Sequence, residues 1–210
     1  LTLTMPESMS IERRRLLAAL GANLVLTPKE LGMKGAIAKA NEIVDSESDA
    51  IILQQFENPA NPEIHTKTTA IEILKDMDSK IDIFIAAVGT GGTLSGTSKV
   101  LKQKINSLKA IAVEPTESAV ISGNSPAPHK IQGIGAGFIP KNLDTNIFDE
   151  IFTVNADDAY ATSRKLAKEE GLLVGISAGA NVFAAINYAS KEENRGKNIV
   201  TILCDTGERY

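Results

Sequence analysis

Five consecutive residues, Gly89-Thr90-Gly91-Gly92-Thr93, combine what an oxyanion needs: backbone amides unshielded by side chains, and hydroxyls beside them. They follow the apolar run Ile81–Ala87 and precede a segment that reads as a helix to Lys104. A glycine-rich turn between strand and helix gathers N–H groups at the positive end of the helix dipole. This suits a terminal phosphate. A nucleotide P-loop is discounted, because no lysine stands in the Gly-x-x-x-x-Gly-Lys-Ser/Thr spacing. A dinucleotide loop needs Gly-x-Gly-x-x-Gly; Leu94 takes the third glycine's place, although Glu114, at the end of the next strand, could act as the ribose-binding acid. A phosphate monoester held by the amides and by the Thr90 and Thr93 hydroxyls is a third reading, and pyridoxal phosphate is the common cofactor with such a handle. A tight turn without a ligand is the fourth.

Other reactive side chains are few. His65 and His129 stand apart from any cysteine or acidic cluster and read as structural or surface residues rather than metal ligands. The single cysteine, Cys204, lies in the apolar run Asn198–Cys204 and reads as core packing. It cannot form an internal disulfide, which fits a reducing cytoplasm.

The elements that must position the loop alternate along the chain. Expected strands are Leu1–Thr4, Asn23–Leu26, Ala50–Leu53, Ile81–Val88, Ala110–Val113, Ile151–Val154 and Ile199–Leu203. Expected helices are Ile11–Leu20, Lys34–Val44, Pro62–Asp76, Thr93–Lys104, Ala156–Glu170 and Ala178–Ser190, with Asn155 and Ser177 as N-caps. Such alternation predicts an α/β fold with a parallel sheet covered on both faces. The 210 residues suffice for one large or two modest domains. A net charge of −4 argues against nucleic acid and anionic membrane as partners. No apolar run approaches the ~20 residues that span a bilayer, and Leu1–Pro6 lacks the basic stretch of a signal peptide. The irregular stretch from Pro115 to Thr145 is long enough to be a functional lid or interface loop.

Several segments, taken together, resemble the cysteine synthases (O-acetylserine sulfhydrylases). They are Gln54-Gln55-Phe56-Glu57-Asn58-Pro59-Ala60-Asn61-Pro62 with His65 and Thr68-Thr69; Gly89–Thr93; His129–Pro140 with its Gly133-Ile134-Gly135-Ala136-Gly137 core; and Gly175-Ile176-Ser177-Ala178-Gly179. Thr4–Ser10 and Gly32–Ile37 fit the same family, and all occur in its order. The resemblance implies a tryptophan synthase β-like fold of two three-layer αβα domains, incomplete at its N-terminal portion. Residues 1–58 would be the remainder of a smaller, mobile substrate domain and 59–210 a larger cofactor-binding domain. It implies pyridoxal 5′-phosphate as cofactor, with Gly89, Thr90, Gly91, Gly92 and Thr93 on its phosphate and Ser177 facing its pyridine nitrogen. Gln55 would bind the substrate α-carboxylate, and Gly133 would line the substrate loop. The implied reaction makes L-cysteine from O-acetylserine and sulfide, in a cytoplasmic homodimer that can receive the C-terminal peptide of serine acetyltransferase.

One departure matters. The family's Schiff-base lysine, in a Pro-Ser-x-Lys-like motif, is absent, as is its Ser-Gly-Asn-Thr-Gly-like substrate loop; Ser122-Gly123-Asn124-Ser125 is only an echo, out of order. No catalytic residue is therefore assigned, and Lys34 and Lys130 are not candidates for the anchor. The chain reads as a fragment, inactive by itself. Cystathionine β-synthase or serine/threonine dehydratase chemistry, and a non-catalytic partner-binding module, are the alternatives.

Overall fold

In the computed structural model, which describes residues 1–210, apolar runs become strands where a neighbouring strand can take up their backbone groups. The chain divides into two units, Leu1–Gln54 with Gly207–Tyr210, and Gln55–Thr206. In the first, β1 (Thr2–Pro6) and β2 (Asn23–Thr27) pair in parallel, with Thr2 opposite Asn23 and Pro6 opposite Thr27. Between them runs α1 (Ile11–Ala19), capped by Ser10, whose hydroxyl accepts from the Arg13 amide. The longer α2 (Gly32–Ser46) is tied to β1 where the Thr4 hydroxyl donates to the Ala36 carbonyl at 2.8 Å.

The expected strand Ala50–Leu53 does not form. Its hydrophobicity reads as strand, but no sheet edge receives it, and Ile51 and Leu53 are 82% and 74% exposed.

The second unit carries α3 (Ala60–Lys67), α4 (Thr69–Asp76), β3 (Ile83–Ala87), α5 (Gly92–Lys104), β4 (Lys109–Pro115), β5 (Glu150–Val154), α6 (Ala156–Glu169), α7 (Ile176–Ala189) and β6 (Ile199–Thr201). Its four strands are all parallel, in the order β5-β4-β3-β6. The central strands are apolar because both faces are covered. Phe84 and Ala86 of β3 meet Leu94 and Leu101 of α5 on one face. The alternate residues Ile83 and Ile85 are equally buried on the other, where α7 crosses β3 and α6 packs on α7.

The expected helix Pro62–Asp76 is two helices, broken at Thr68 (φ −121°, ψ −79°). The Thr66 and Thr68 hydroxyls donate to the carbonyls of Glu63 and Ile64, both at 2.7 Å. Such local bonds on β-branched residues compete with the helical ladder. Asn155 caps α6 as expected, accepting from the Asp158 amide at 2.8 Å. Ser177 is not a cap: α7 starts one residue before it, with Gly175 at the N-cap. The apolar Ile176 can take the first helical position because tertiary packing buries it. No helix is long and apolar enough to cross a membrane.

Candidate functional site

At the carboxyl edge of the four-stranded sheet, β3 gives way at Val88 to the glycine-rich turn. Ligands of open α/β sheets bind at this edge. Val88 is held on both sides, its amide donating to the Val113 carbonyl at 2.9 Å and its carbonyl accepting from Gly135 at 3.0 Å. Gly91, at φ +83°, turns the chain into α5 from the left-handed region. That leaves the first-turn amides of α5 without intrahelical acceptors.

Close approach explains the neighbouring glycines. A Cβ on Gly89 would lie 2.4 Å from the Gly133 carbonyl oxygen, and one on Gly92 would lie 1.9 Å from Asn61 Oδ1. Gly133 is thus backed against the turn. A Cβ on Gly133 (φ +95°) would in turn be 3.7 Å from Ser177 Oγ. Ser177 is 3% exposed, in the first turn of α7, whose start lies beside the segment after β6: the Gly175 amide donates to Asp205 O at 3.0 Å. The fold therefore brings together Gly89–Thr93, Gly133 and Ser177, from three separate stretches of sequence. Two helix N-termini face this corner, and both favour an anion or an acceptor.

Gln55 stands differently. Its backbone carbonyl accepts from Asn61 Nδ2 and from Asn142 Nδ2, both at 2.8 Å. The residue itself is exposed, and its side chain is not part of the corner's hydrogen bonding. The left-handed Gln54 (φ 48°) precedes it.

Two residues of α3 belong to the corner and were not read as such. Asn61 Nδ2 donates to Thr90 Oγ1 at 2.9 Å. His65 spans two threonines, with Nδ1 2.8 Å from Thr69 Oγ1 and Nε2 3.2 Å from Thr93 Oγ1. Burial holds His65 below its ordinary pKa. His129 has a simpler role: its Nε2 donates to the Gly135 carbonyl at 2.9 Å, pinning the loop.

Cys204 is not core. β6 ends at Thr201 and the residue is exposed. Its sulfur nevertheless turns inward, 3.4 Å from the Nδ2 of the buried Asn181. Burial pushes the thiol pKa up, opposed in part by a hydrogen bond with Ser177.

Glu114 closes the dinucleotide reading. It is 1% exposed, and its carboxylate is taken up by the amides of Ile121 and Ser122 (2.8 and 2.9 Å) and by the Ser122 hydroxyl. It staples a loop and has no oxygen to offer a ribose.

The donor set fits a phosphate ester on a pyridine ring. Helix-terminal amides and two hydroxyls, with no lysine or arginine in the turn, suit the phosphate. A neutral hydroxyl across the corner suits a ring nitrogen.

Comparison with known proteins agrees. A family profile described as pyridoxal-phosphate dependent enzyme matches residues 1–205. The chain is 56% identical over 219 residues to cysteine synthase A of Escherichia coli strain K12, covering 100% of this chain and 68% of that protein. It is 56% identical over 208 residues to the cysteine synthase of Staphylococcus aureus strain Mu50, covering 99% and 66%. Among solved structures it is similar to a hydrogen sulfide-producing enzyme of Fusobacterium nucleatum (TM-score 0.96, 43% identity, 100% of this chain and 71% of that one). It is also similar to the cysteine synthase of Entamoeba histolytica (TM-score 0.92, 43% identity, 100% and 62%). The chain thus spans about two thirds of the length of the relatives it matches.

Proposed function

Because this chain belongs to the pyridoxal-phosphate dependent enzymes, we propose that the whole protein is a cysteine synthase. It replaces the acetoxy group of O-acetylserine by sulfide, giving L-cysteine and acetate. The observation that carries this reading is the 56% identity to cysteine synthases along essentially the whole of this chain, and the buried Ser177 hydroxyl beside the glycine-rich corner supports it. When bound, pyridoxal phosphate supplies an electron sink for the carbon skeleton of the substrate.

The chain's own residues then have distinct tasks. The amides and hydroxyls of Gly89–Thr93 bind and orient the phosphate. The Ser177 hydroxyl donates to the ring nitrogen without adding a charge. A carboxylate there would favour a protonated ring; a hydroxyl suits chemistry in which charge departs with the leaving group. Gly133 lets the backbone approach the substrate closely. The Gln55 amide donates to the substrate carboxylate. Removal of the α-proton falls to a lysine that this sequence does not contain, so the chain alone orients the cofactor but does not turn over.

On this reading the first unit is the remainder of the mobile substrate domain and the second is the cofactor domain. The protein works as a cytoplasmic homodimer and accepts the C-terminal peptide of serine acetyltransferase.

The test extends the chain with a lysine-bearing N-terminal segment and assays it for cysteine from O-acetylserine and sulfide. Cysteine and bound-cofactor absorbance are expected. Turnover only with serine and homocysteine would assign it to cystathionine synthesis instead, and neither absorbance nor product would refute the proposal.

A further inference from the structure

The phosphate of a pyridoxal ester is an acceptor near neutral pH, so each hydroxyl beside it must point its proton inward. A hydroxyl has one proton and two lone pairs. The direction of the proton is set from behind, by what occupies the lone pairs.

Behind Thr90 stands Asn61. The Asn61 amide group that faces Thr90 Oγ1 also faces the Gln55 carbonyl, at 2.9 and 2.8 Å. A carbonyl only accepts, so that group is the NH2, and it donates one proton to each. The Gly92 amide points at the same hydroxyl oxygen, at 3.4 Å. Thr90 can spend its own proton on neither donor, and keeps it for the turn.

Behind Thr93 stands His65, and here two polarities are open. With the proton on Nδ1, the ring donates to Thr69 and Nε2 draws the Thr93 proton away from the turn. With the proton on Nε2, the ring donates to Thr93, accepts from Thr69 at Nδ1, and leaves the Thr93 proton free. Only the second polarity serves an anion.

We propose that Asn61 and His65 are positioning residues of the anion site, fixing from α3 the proton directions of Thr90 and Thr93, and that occupation of the site holds His65 in its Nε2–H form. Neither side chain touches the ligand in this account; each acts through a threonine. The burial of His65 favours the neutral ring that the account requires. The proposal rests on the reading of Gly89–Thr93 as a phosphate cradle, and the experiment separates the two.

The full chain is titrated by calorimetry with pyridoxine 5′-phosphate and with pyridoxine, neither of which has an aldehyde to react with lysines. The wild type is expected to prefer the phosphate ester. His65→Leu and Asn61→Ala each lose about tenfold or more in affinity for the ester and none for pyridoxine. His65→Gln, whose amide N–H reaches the place of Nε2, recovers most of the loss. Equal affinity of the wild type for both probes, or binding of neither, overturns the cradle reading and the proposal with it. A wild-type preference that both variants retain overturns the proposal alone.

Should a variant fail to fold, a second measurement on the wild type decides. The chain has two histidines, so long-range 15N–1H spectra at about pH 8, where a free imidazole is neutral, carry two ring patterns. His129→Gln identifies which belongs to His65. With pyridoxine 5′-phosphate at saturation, His65 is expected as the Nε2–H tautomer. An Nδ1–H pattern overturns the proposal.

Discussion

At the scale of single residues, the corner is lined by neutral groups, and Asn61 and His65 hydrogen-bond Thr90 and Thr93 from α3. Ser177→Ala should weaken pyridoxine 5′-phosphate binding by about 1 kcal/mol, the net worth of one hydrogen bond, in a fluorescence titration. Ser177→Asp should raise the pKa of the bound ring nitrogen, read from the ring's ultraviolet absorbance; an unchanged ring would show that position 177 does not face it. Tyr188 contributes to the alkaline limb of stability. Burial and its bond to Glu150 push the Tyr188 phenol well above its ordinary value of 10.0. The folded state therefore holds a proton that the unfolded state gives up above about pH 10. Stability contributed by this group is complete below that pH and falls as pH rises through the folded pKa. Denaturant titrations from pH 9 to 11 should show a shallower decline for Tyr188→Phe than for the wild type. The reactive residues were legible to different degrees. Gly89–Thr93 stands out through its own spacing, whereas Ser177 by itself reads only as a helix cap and enters the site through the family resemblance. Asn61 and His65 lie 29 and 28 residues before the threonines they brace, and nothing local in either residue discloses a partner so far along the chain.

At the scale of elements, apolar runs located every strand of the four-stranded sheet: β3 and β4 are buried on both faces and read as continuous apolar runs, and the half-buried edge strands β5 and β6 still carry short apolar runs. Pattern reading failed where the deciding interaction was not periodic. Ala50–Leu53 has strand composition without a strand to pair with. The break at Thr68 comes from hydroxyls that bond their own backbone, and the cap of α7 shifts to Gly175 because packing outweighs capping preference. Asn155 shows the opposite, a helix start written in the local sequence. Asn155→Ala should cost about 1 kcal/mol. For a chain of this size that lowers the melting temperature by roughly 2–4 °C, measured by calorimetry; no shift would mean that the Glu117 carboxylate, 3.3 Å from the Ala156 amide, caps α6 by itself.

At the scale of the whole molecule, the two units are built unequally. The second has a four-stranded sheet covered on both faces, with Phe84, Ile85, Leu94, Leu101, Ile111 and Val113 fully enclosed. The first has a two-stranded sheet and only Met5 and Ala36 as buried apolar residues, while Leu20 and Leu31 are exposed. Opening free energy follows buried apolar contact. Native-state hydrogen exchange should therefore protect the amides of β3 and β4 most, and those of β1 and β2 at least tenfold less. Uniform protection would show that the units open as one.

The contact of Gly89 with the Gly133 carbonyl also bears on how such a protein can change. The Gly133 carbonyl fills the space in which Gly89 would grow a side chain, whereas a Cβ on Gly133 would meet only Ser177 Oγ, at 3.7 Å. Substitutions at the two positions should be strongly non-additive. A side chain at position 89 has room only where the Gly133 carbonyl has moved aside, so variants that carry one are expected only when both loops are randomised together.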